Sequence, residues 1–140
     1  AVIKARDEFA ATSAPKNYYA FERDFKSLKA DETKLVSFLC NISAADIRNI
    51  FKSDMEPDIL LKMLKSFSAQ PEQFLSDKAD YLVDVAVAIS SASPFDMACD
   101  FMEDDEKAVL RDFVCKLEAV AGNRVGPVKK RFAAACSMEF

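Results

Sequence analysis

Residues 105–120, DEKAVLRDFVCKLEAV, contain the clearest structural pattern in the chain. Apolar side chains return every three or four positions, and mostly charged side chains fill the positions between them. This spacing predicts an amphipathic helix with its apolar side packed against a core. The acidic run at residues 103–106 favours the positive end of that helix, and Gly122 suits its C-terminal cap. The predicted inward-facing set is Val109, Leu110, Phe113, Val114, Leu117 and Val120.

The same helical period continues along most of the chain. It is found at residues 18–28 (YYAFERDFKSL), 34–42 (KLVSFLCNI), 44–52 (AADIRNIFK), 57–67 (PDILLKMLKSF), 94–102 (PFDMACDFM) and 128–136 (VKKRFAAAC). Asp31, Ser43 and Ser93 are candidate caps, and Pro57 suits a first helical turn. We therefore predict an all-α fold, a compact bundle of about seven short helices. A single domain is expected at residues 18–140, after a helical or flexible N-terminal extension at residues 1–17.

The segment at residues 81–89, YLVDVAVAI, is ambiguous. Its β-branched residues alternate with other side chains, as in a strand. No partner strand is predicted elsewhere, and a lone strand would leave its backbone groups without hydrogen bonds. We therefore predict a central helix that is buried on most of its circumference.

The composition excludes most familiar catalytic designs. The chain has no His and only two Gly, both after residue 121. The commonest general base and metal ligand is therefore missing, and a Gly-rich phosphate loop cannot form in the first 121 residues. The net charge of −4 argues against nucleic acid as a partner, and no apolar run reaches membrane-spanning length. We predict no enzyme, no membrane partner, and no catalytic, cofactor-binding or metal-binding residues.

The four cysteines do not form a metal motif. Their spacing contains no CxxC pair, and no His could complete a zinc site. Free Cys is often buried, so we expect four reduced thiols that act as small apolar side chains in an intracellular protein. The alternative is a thiol-dependent redox protein that uses Cys99 or Cys136, the two cysteines closest to predicted surface segments.

Several motifs in this order resemble a known domain family. They are FERDFKSLK at residues 21–29, MEPDI at 55–59, FDMACDFM at 95–102 and VKKRF at 128–132. Together they are similar to the C-terminal domains of the tetratricopeptide co-chaperone RNA polymerase II-associated protein three. The same domain type occurs in sperm-associated antigen one and in a dynein-arm assembly factor. The resemblance covers about residues 18–132.

The resemblance implies an all-helical adaptor rather than an enzyme. In that family the domain docks onto the RuvB-like AAA+ ATPase ring, and tetratricopeptide repeats outside this chain hold the heat-shock chaperones Hsp90 and Hsp70. The expected function is therefore to dock a chaperone-tethering scaffold onto the ring during assembly of multiprotein complexes. A cytoplasmic location, with the nucleus as a second one, goes with that function. A dynein-arm assembly factor with the same fold is the alternative within the family.

The docking surface is predicted at residues 94–102. A helix would place its apolar side chains around more than one face, and aromatic and Met side chains are favoured interface anchors. The predicted apolar contacts are Phe95, Met97, Phe101 and Met102, with burial in the domain core as the alternative for each. Met97 and Phe101 are the leading pair because they are four residues apart on one side of the helix.

Two charged features qualify that prediction. The family usually has Arg directly before Phe95, whereas this chain has Pro94, so apolar contacts would have to contribute more of the affinity. Lys129, Lys130 and Arg131 match a basic helix of the family and could contact an acidic partner surface. Alternatively, their positive charges only stabilise the negative end of the dipole of the last helix.

Overall fold

The computed structural model describes Pro15 and residues 17–140, and every regular element in this part is helical. The elements are α1 (Tyr18–Leu28), α2 (Glu32–Cys40), α3 (Ala44–Phe51), α4 (Pro57–Ser68), α5 (Glu72–Asp77), α6 (Ala79–Ser90), α7 (Pro94–Asp100), α8 (Asp104–Ala121), a 3-10 turn (Gly122–Val125) and α9 (Gly126–Cys136). The all-α prediction is confirmed. The described residues form nine α-helices rather than about seven, and the six-residue α5 has no counterpart among the segments named above. The predicted extension at residues 1–17 falls outside the described residues, apart from Pro15 and Asn17.

The helix ends follow local sequence signals. The side chains of Asp31 and Ser43 accept hydrogen bonds from the backbone N–H groups of Lys34 and Asp46, each at 3.1 Å, as predicted for N-caps. Gly122 ends α8 with a φ of 63°, a conformation that favours glycine. Ser93 occupies the predicted N-cap position before Pro94, but its side chain makes no capping hydrogen bond.

The ambiguous segment at residues 81–89 lies within helix α6. Leu82, Val85, Ala86, Ala88 and Ile89 are buried, while Val83 and Val87 are half-buried. The helix packs against α3, α5, α8 and α9, so neighbouring helices cover it on several sides. Burial on several sides explains why its sequence lacks the clear polar side of α8.

Aromatic rings connect the helices into one core. The ring of Phe21 lies 5.3–6.4 Å, between ring centroids, from four neighbours: Tyr18, Phe25, Phe38 and Phe51. Phe67 of α4 faces Phe113 of α8 at 6.5 Å. These contacts tie the N-terminal helices together and fix α4 along the long helix α8.

Membrane-spanning potential is limited in the described residues. No single helix there is long and apolar enough to cross a bilayer. Helices α6 and α7 reach that length and apolar composition only when taken together, and they are bent by 84° relative to each other.

Candidate partner-docking surface

Helix α7 presents two large apolar side chains to solvent. Met97 is 65% exposed and Phe101, which directly follows the helix, is 73% exposed. Within the part of the chain that the structure describes, only Tyr19 and Phe140 join them as exposed large apolar residues. The four-residue spacing places Met97 and Phe101 on the same side of α7. We call these two residues the apolar pair.

The opposite side of α7 is buried and holds the helix in place. Phe95 is 1% exposed, and its ring lies 5.1 Å from that of Phe132 on α9. Ala98 and Cys99 are also buried, and Met102 is 6% exposed. Phe95 and Met102 are therefore core residues, which is the alternative given for them above, and little of either side chain is accessible to a partner. The structure leaves Met97 and Phe101 exposed and does not itself test whether they bind a partner.

A disulfide on the buried side of α7 links this helix to α9. Cys99 and Cys136 are bonded across 37 residues with a Cα–Cα distance of 5.1 Å, which joins the buried side of α7 to the last residue of α9. The expectation of four reduced thiols was therefore wrong for this pair. The sequence does not predict this disulfide, because the two cysteines are 37 residues apart and come together only when α7 packs against α9. The apolar pair thus stands on a helix that is covalently fixed to its neighbour.

The disulfide defines the oxidised state of the two cysteines named in the thiol-dependent alternative, which stays a prediction. Cys99 and Cys136 are buried and have no free thiol, so neither can act as a nucleophile in this state. Of the two free cysteines, Cys40 is half-buried, and burial raises the pKa of its thiol. A protonated thiol is a weak nucleophile. Cys115 is exposed on α8, so the expectation of a buried apolar role was wrong for this cysteine.

Other titratable groups with shifted pKa values serve the structure. Burial raises the pKa of Tyr18 to about 12, and its hydroxyl accepts a 2.9 Å hydrogen bond from the backbone N–H of Glu56. Burial also raises the pKa of Tyr81, whose hydroxyl donates to backbone carbonyls. The pKa of Glu56 is raised mainly by burial and then by its hydrogen bond to Glu22. The two tyrosine hydroxyls make hydrogen bonds to the backbone, and the nearby Cys40 thiol also raises the pKa of Tyr81.

A cleft of about 450 Å³ lies between the start of α1 and helix α3. Its lining includes Asn17, Tyr18, Asp46, Asn49 and Lys52. These side chains and Ser53 can form hydrogen bonds, and the chain has no His to serve among them as a general base. The cleft therefore gives no reason to assign a reaction.

An acidic rim borders the apolar pair. Asp96 and Asp100 are exposed on α7, and Glu103, Asp104 and Asp105 are exposed where α8 begins. The backbone N–H of Glu103 donates to the Glu106 carboxylate at 2.9 Å, as part of a capping box. Asp105 lies close to both glutamates, with one carboxylate oxygen of each residue within 4.8 Å of the others. Helix capping accounts for Glu103 and Glu106 without a metal ion.

The predicted basic run is mostly engaged within the domain. Lys129 pairs with Glu118 of α8 at 3.0 Å, and Arg131 donates a 2.8 Å hydrogen bond to the Ser91 hydroxyl. Lys130 is exposed and has no ion pair among the described residues. Two of the three cations therefore stabilise the packing of α9. Lys130 and Arg131 remain exposed, whereas Lys129 is half-buried.

Comparisons with known proteins agree on one family. The family described as "Potential Monad-binding region of RPAP3" matches residues 14–107. RNA polymerase II-associated protein 3 from Homo sapiens is 26% identical over 133 residues, which cover 89% of this chain and 19% of that protein. The Xenopus laevis protein of the same name is 28% identical over 96 residues, covering 68% of this chain and 14% of that protein. The chain thus spans a fifth or less of the length of these curated relatives.

A solved structure has the same fold. The NMR structure of the C-terminal domain of the human RPAP3 protein matches with a TM-score of 0.71 and 24% identity. The match covers 84% of this chain and 87% of that one. It supports the all-helical architecture described above.

Proposed function

The chain belongs to the RPAP3 C-terminal domain family, and from this premise we propose that it docks a co-chaperone scaffold onto a RuvB-like AAA+ ATPase ring. The family is described as a potential Monad-binding region, which supports the more general function of a protein-interaction module without catalysis. The ring is the partner that the sequence motifs suggest. The scaffold would tether Hsp90 and Hsp70 through repeats that are not among these 140 residues, during complex assembly in the cytoplasm and nucleus.

The observation that carries this proposal is the exposure of Met97 and Phe101 on an otherwise well-packed helix. Burying a large apolar side chain contributes about 1.5–3 kcal/mol, so a partner that covers both gains roughly 3–6 kcal/mol. Aromatic and Met side chains are also enriched among the residues that dominate binding. The buried side of α7, fixed by the Cys99–Cys136 disulfide, limits the entropy lost when the pair docks.

Monad is a second candidate partner, favoured by the description of the family. The two candidates make different predictions for a binding experiment. A ring-docking domain co-elutes with the purified RuvB-like ring in the absence of Monad. A Monad-binding domain co-elutes with Monad alone and reaches the ring only when Monad is present.

The proposed experiment is size-exclusion chromatography at micromolar concentration with the ring, with Monad and with both. We expect the wild-type chain to co-elute with the ring alone. The double variant Met97→Ser and Phe101→Ser should bind at least about a hundredfold more weakly, because it loses both apolar anchors. Failure of the wild-type chain to bind the ring would refute the proposed function.

Tyr19→Ser is the matched control, because it removes an equally exposed aromatic ring from α1. We expect it to bind like the wild type. Circular dichroism checks that all variants keep their helical content, and Phe101→Ser alone replaces the double variant if that one unfolds. Equal loss of binding by Tyr19→Ser would show that α7 is not the specific contact.

A further inference from the structure

The surroundings of the apolar pair are strongly one-sided in charge. Residues 93–106 contain six carboxylates and no Lys or Arg. Asp96 directly precedes Met97 in the chain, and Asp100 directly precedes Phe101. Asp100 is three residues after Met97, so it shares the exposed side of α7 with the pair. The apolar pair therefore lies within a negatively charged border.

Ion pairs within the described part of the chain do not neutralise this border. Asp96, Asp100 and Asp104 form no ion pair among the described residues, whose ion pairs all involve other carboxylates. Three cations on the helices that pack nearby make other contacts, while Lys107 of α8 and Lys130 of α9 form no ion pair among the described residues. Lys129 of α9 pairs with Glu118, Arg131 of α9 donates to Ser91, and Arg111 of α8 donates to the Glu139 carbonyl. The negative charge around the pair thus remains available to a partner.

We propose that the partner surface is an apolar hollow edged by Lys and Arg, and that its charge steers association with α7. This inference rests on the proposed function and adds the chemistry of the partner's contact surface. It assigns the ionic part of docking to Asp96, Asp100 and Asp104. That polarity is opposite to the one expected from contacts of Lys129, Lys130 and Arg131 with an acidic surface.

Charge also argues against the other occupants of this surface. A second copy of the chain would place the same carboxylates against each other, and like charges at an interface cost several kcal/mol. Nucleic acid and anionic membranes would be repelled in the same way. A basic protein surface can both cover the apolar pair and neutralise its border. Complementary charge raises the rate of encounter more than it changes contacts after docking.

The test measures association rates with the purified RuvB-like ring at 50 and 500 mM NaCl. We expect the wild-type association rate to fall about tenfold or more over this range. At the higher salt concentration, the attraction between exposed charges is screened once they are more than a few ångströms apart. The variant Asp96→Asn with Asp100→Asn should associate about three- to tenfold more slowly at 50 mM NaCl and show a weaker salt dependence.

A matched control removes two exposed carboxylates elsewhere, with Glu32→Gln on α2 and Asp54→Asn before α4. It has the same net charge as the test variant and should keep the wild-type rate and salt dependence. Identical behaviour of the two variants would overturn the inference, as would faster association of the α7 variant.

The outcomes separate this inference from the proposed function. If Met97→Ser with Phe101→Ser loses binding while the α7 charge variant matches its control, only the basic partner surface is refuted. If the wild-type chain does not bind the ring, both are refuted.

Discussion

The Tyr81 hydroxyl connects two helices that local sequence patterns cannot relate. It lies 2.6 Å from the Leu39 carbonyl oxygen and 2.7 Å from that of Ile42, at the C-terminal end of α2. Carbonyls at a helix end lack partners within the helix and must be satisfied from elsewhere. The hydroxyl supplies the donor across about 40 residues of sequence, so we expect it to hold α6 against the chain at the end of α2.

Replacing Tyr81 with Phe removes this donor and keeps the half-buried ring. A hydroxyl has one proton, so its two contacts share one donor. The Leu39 carbonyl keeps a 3.0 Å hydrogen bond from the backbone N–H of Ile42, so the Ile42 carbonyl is the acceptor that loses its donor. A typical hydrogen bond contributes about 1 kcal/mol net, and leaving one buried acceptor without a donor costs about 1–3 kcal/mol. We therefore expect Tyr81→Phe to lower the free energy of unfolding by about 2 kcal/mol. With about 2.1 cal/mol/K of unfolding entropy per residue, this lowers the Tm by about 7 °C.

The matched control is Tyr19→Phe, which makes the same chemical change on a side chain that is 74% exposed. It should change stability by less than about 0.5 kcal/mol, as is usual for surface substitutions. Urea unfolding followed by circular dichroism at 222 nm measures both variants. Equal stabilities of Tyr81→Phe and Tyr19→Phe would refute the role of the hydroxyl.

Three further predictions concern the core, the disulfide and pH. Phe21→Ala should lower the free energy of unfolding by about 3–5 kcal/mol, because the Phe21 ring contacts four other rings. Urea titrations measure this change, and a loss below about 1 kcal/mol would contradict the central position of Phe21. Reduction of the Cys99–Cys136 disulfide should cost about 4 kcal/mol, from the chain entropy of a loop of 37 residues, and an unchanged Tm with reductant would contradict it. Stability should fall as pH rises above about 10, because Tyr81 and Tyr18 release protons there in the unfolded chain. In the folded chain burial raises the pKa of both, to about 12 for Tyr18, so the loss continues through these folded pKa values. Urea midpoints between pH 8 and 11.5 measure this loss, and a flat profile would be the contrary result.

Sequence predicted most of the helices because their signals are local. In α8 the apolar period, the acidic start and Gly122 all agree. The helix at residues 81–89 was predicted from the absence of a partner strand, which concerns the whole chain rather than the segment. Its near-continuous apolar character reflects burial on several sides, and only the packed structure shows which helices provide the cover.

The candidate site could be predicted only in part, because exposure on a short helix depends on distant contacts. Phe95 and Phe101 are the same residue type within one motif, yet Phe95 packs on Phe132 whereas Phe101 faces solvent. The pairing of Cys99 with Cys136 depends on the same meeting of α7 with α9. Each of these contacts joins residues separated by about 37 positions, which a helical period cannot reveal.

Hydroxyl-radical footprinting of the complex with the RuvB-like ring tests the docking surface most directly. Met97 and Phe101 are about as exposed as Tyr19 in the free chain, so all three should be labelled there. We predict that ring binding lowers the labelling of Met97 and Phe101 several-fold and leaves Tyr19 unchanged. Unchanged labelling of Met97 and Phe101 in the complex would contradict docking through α7.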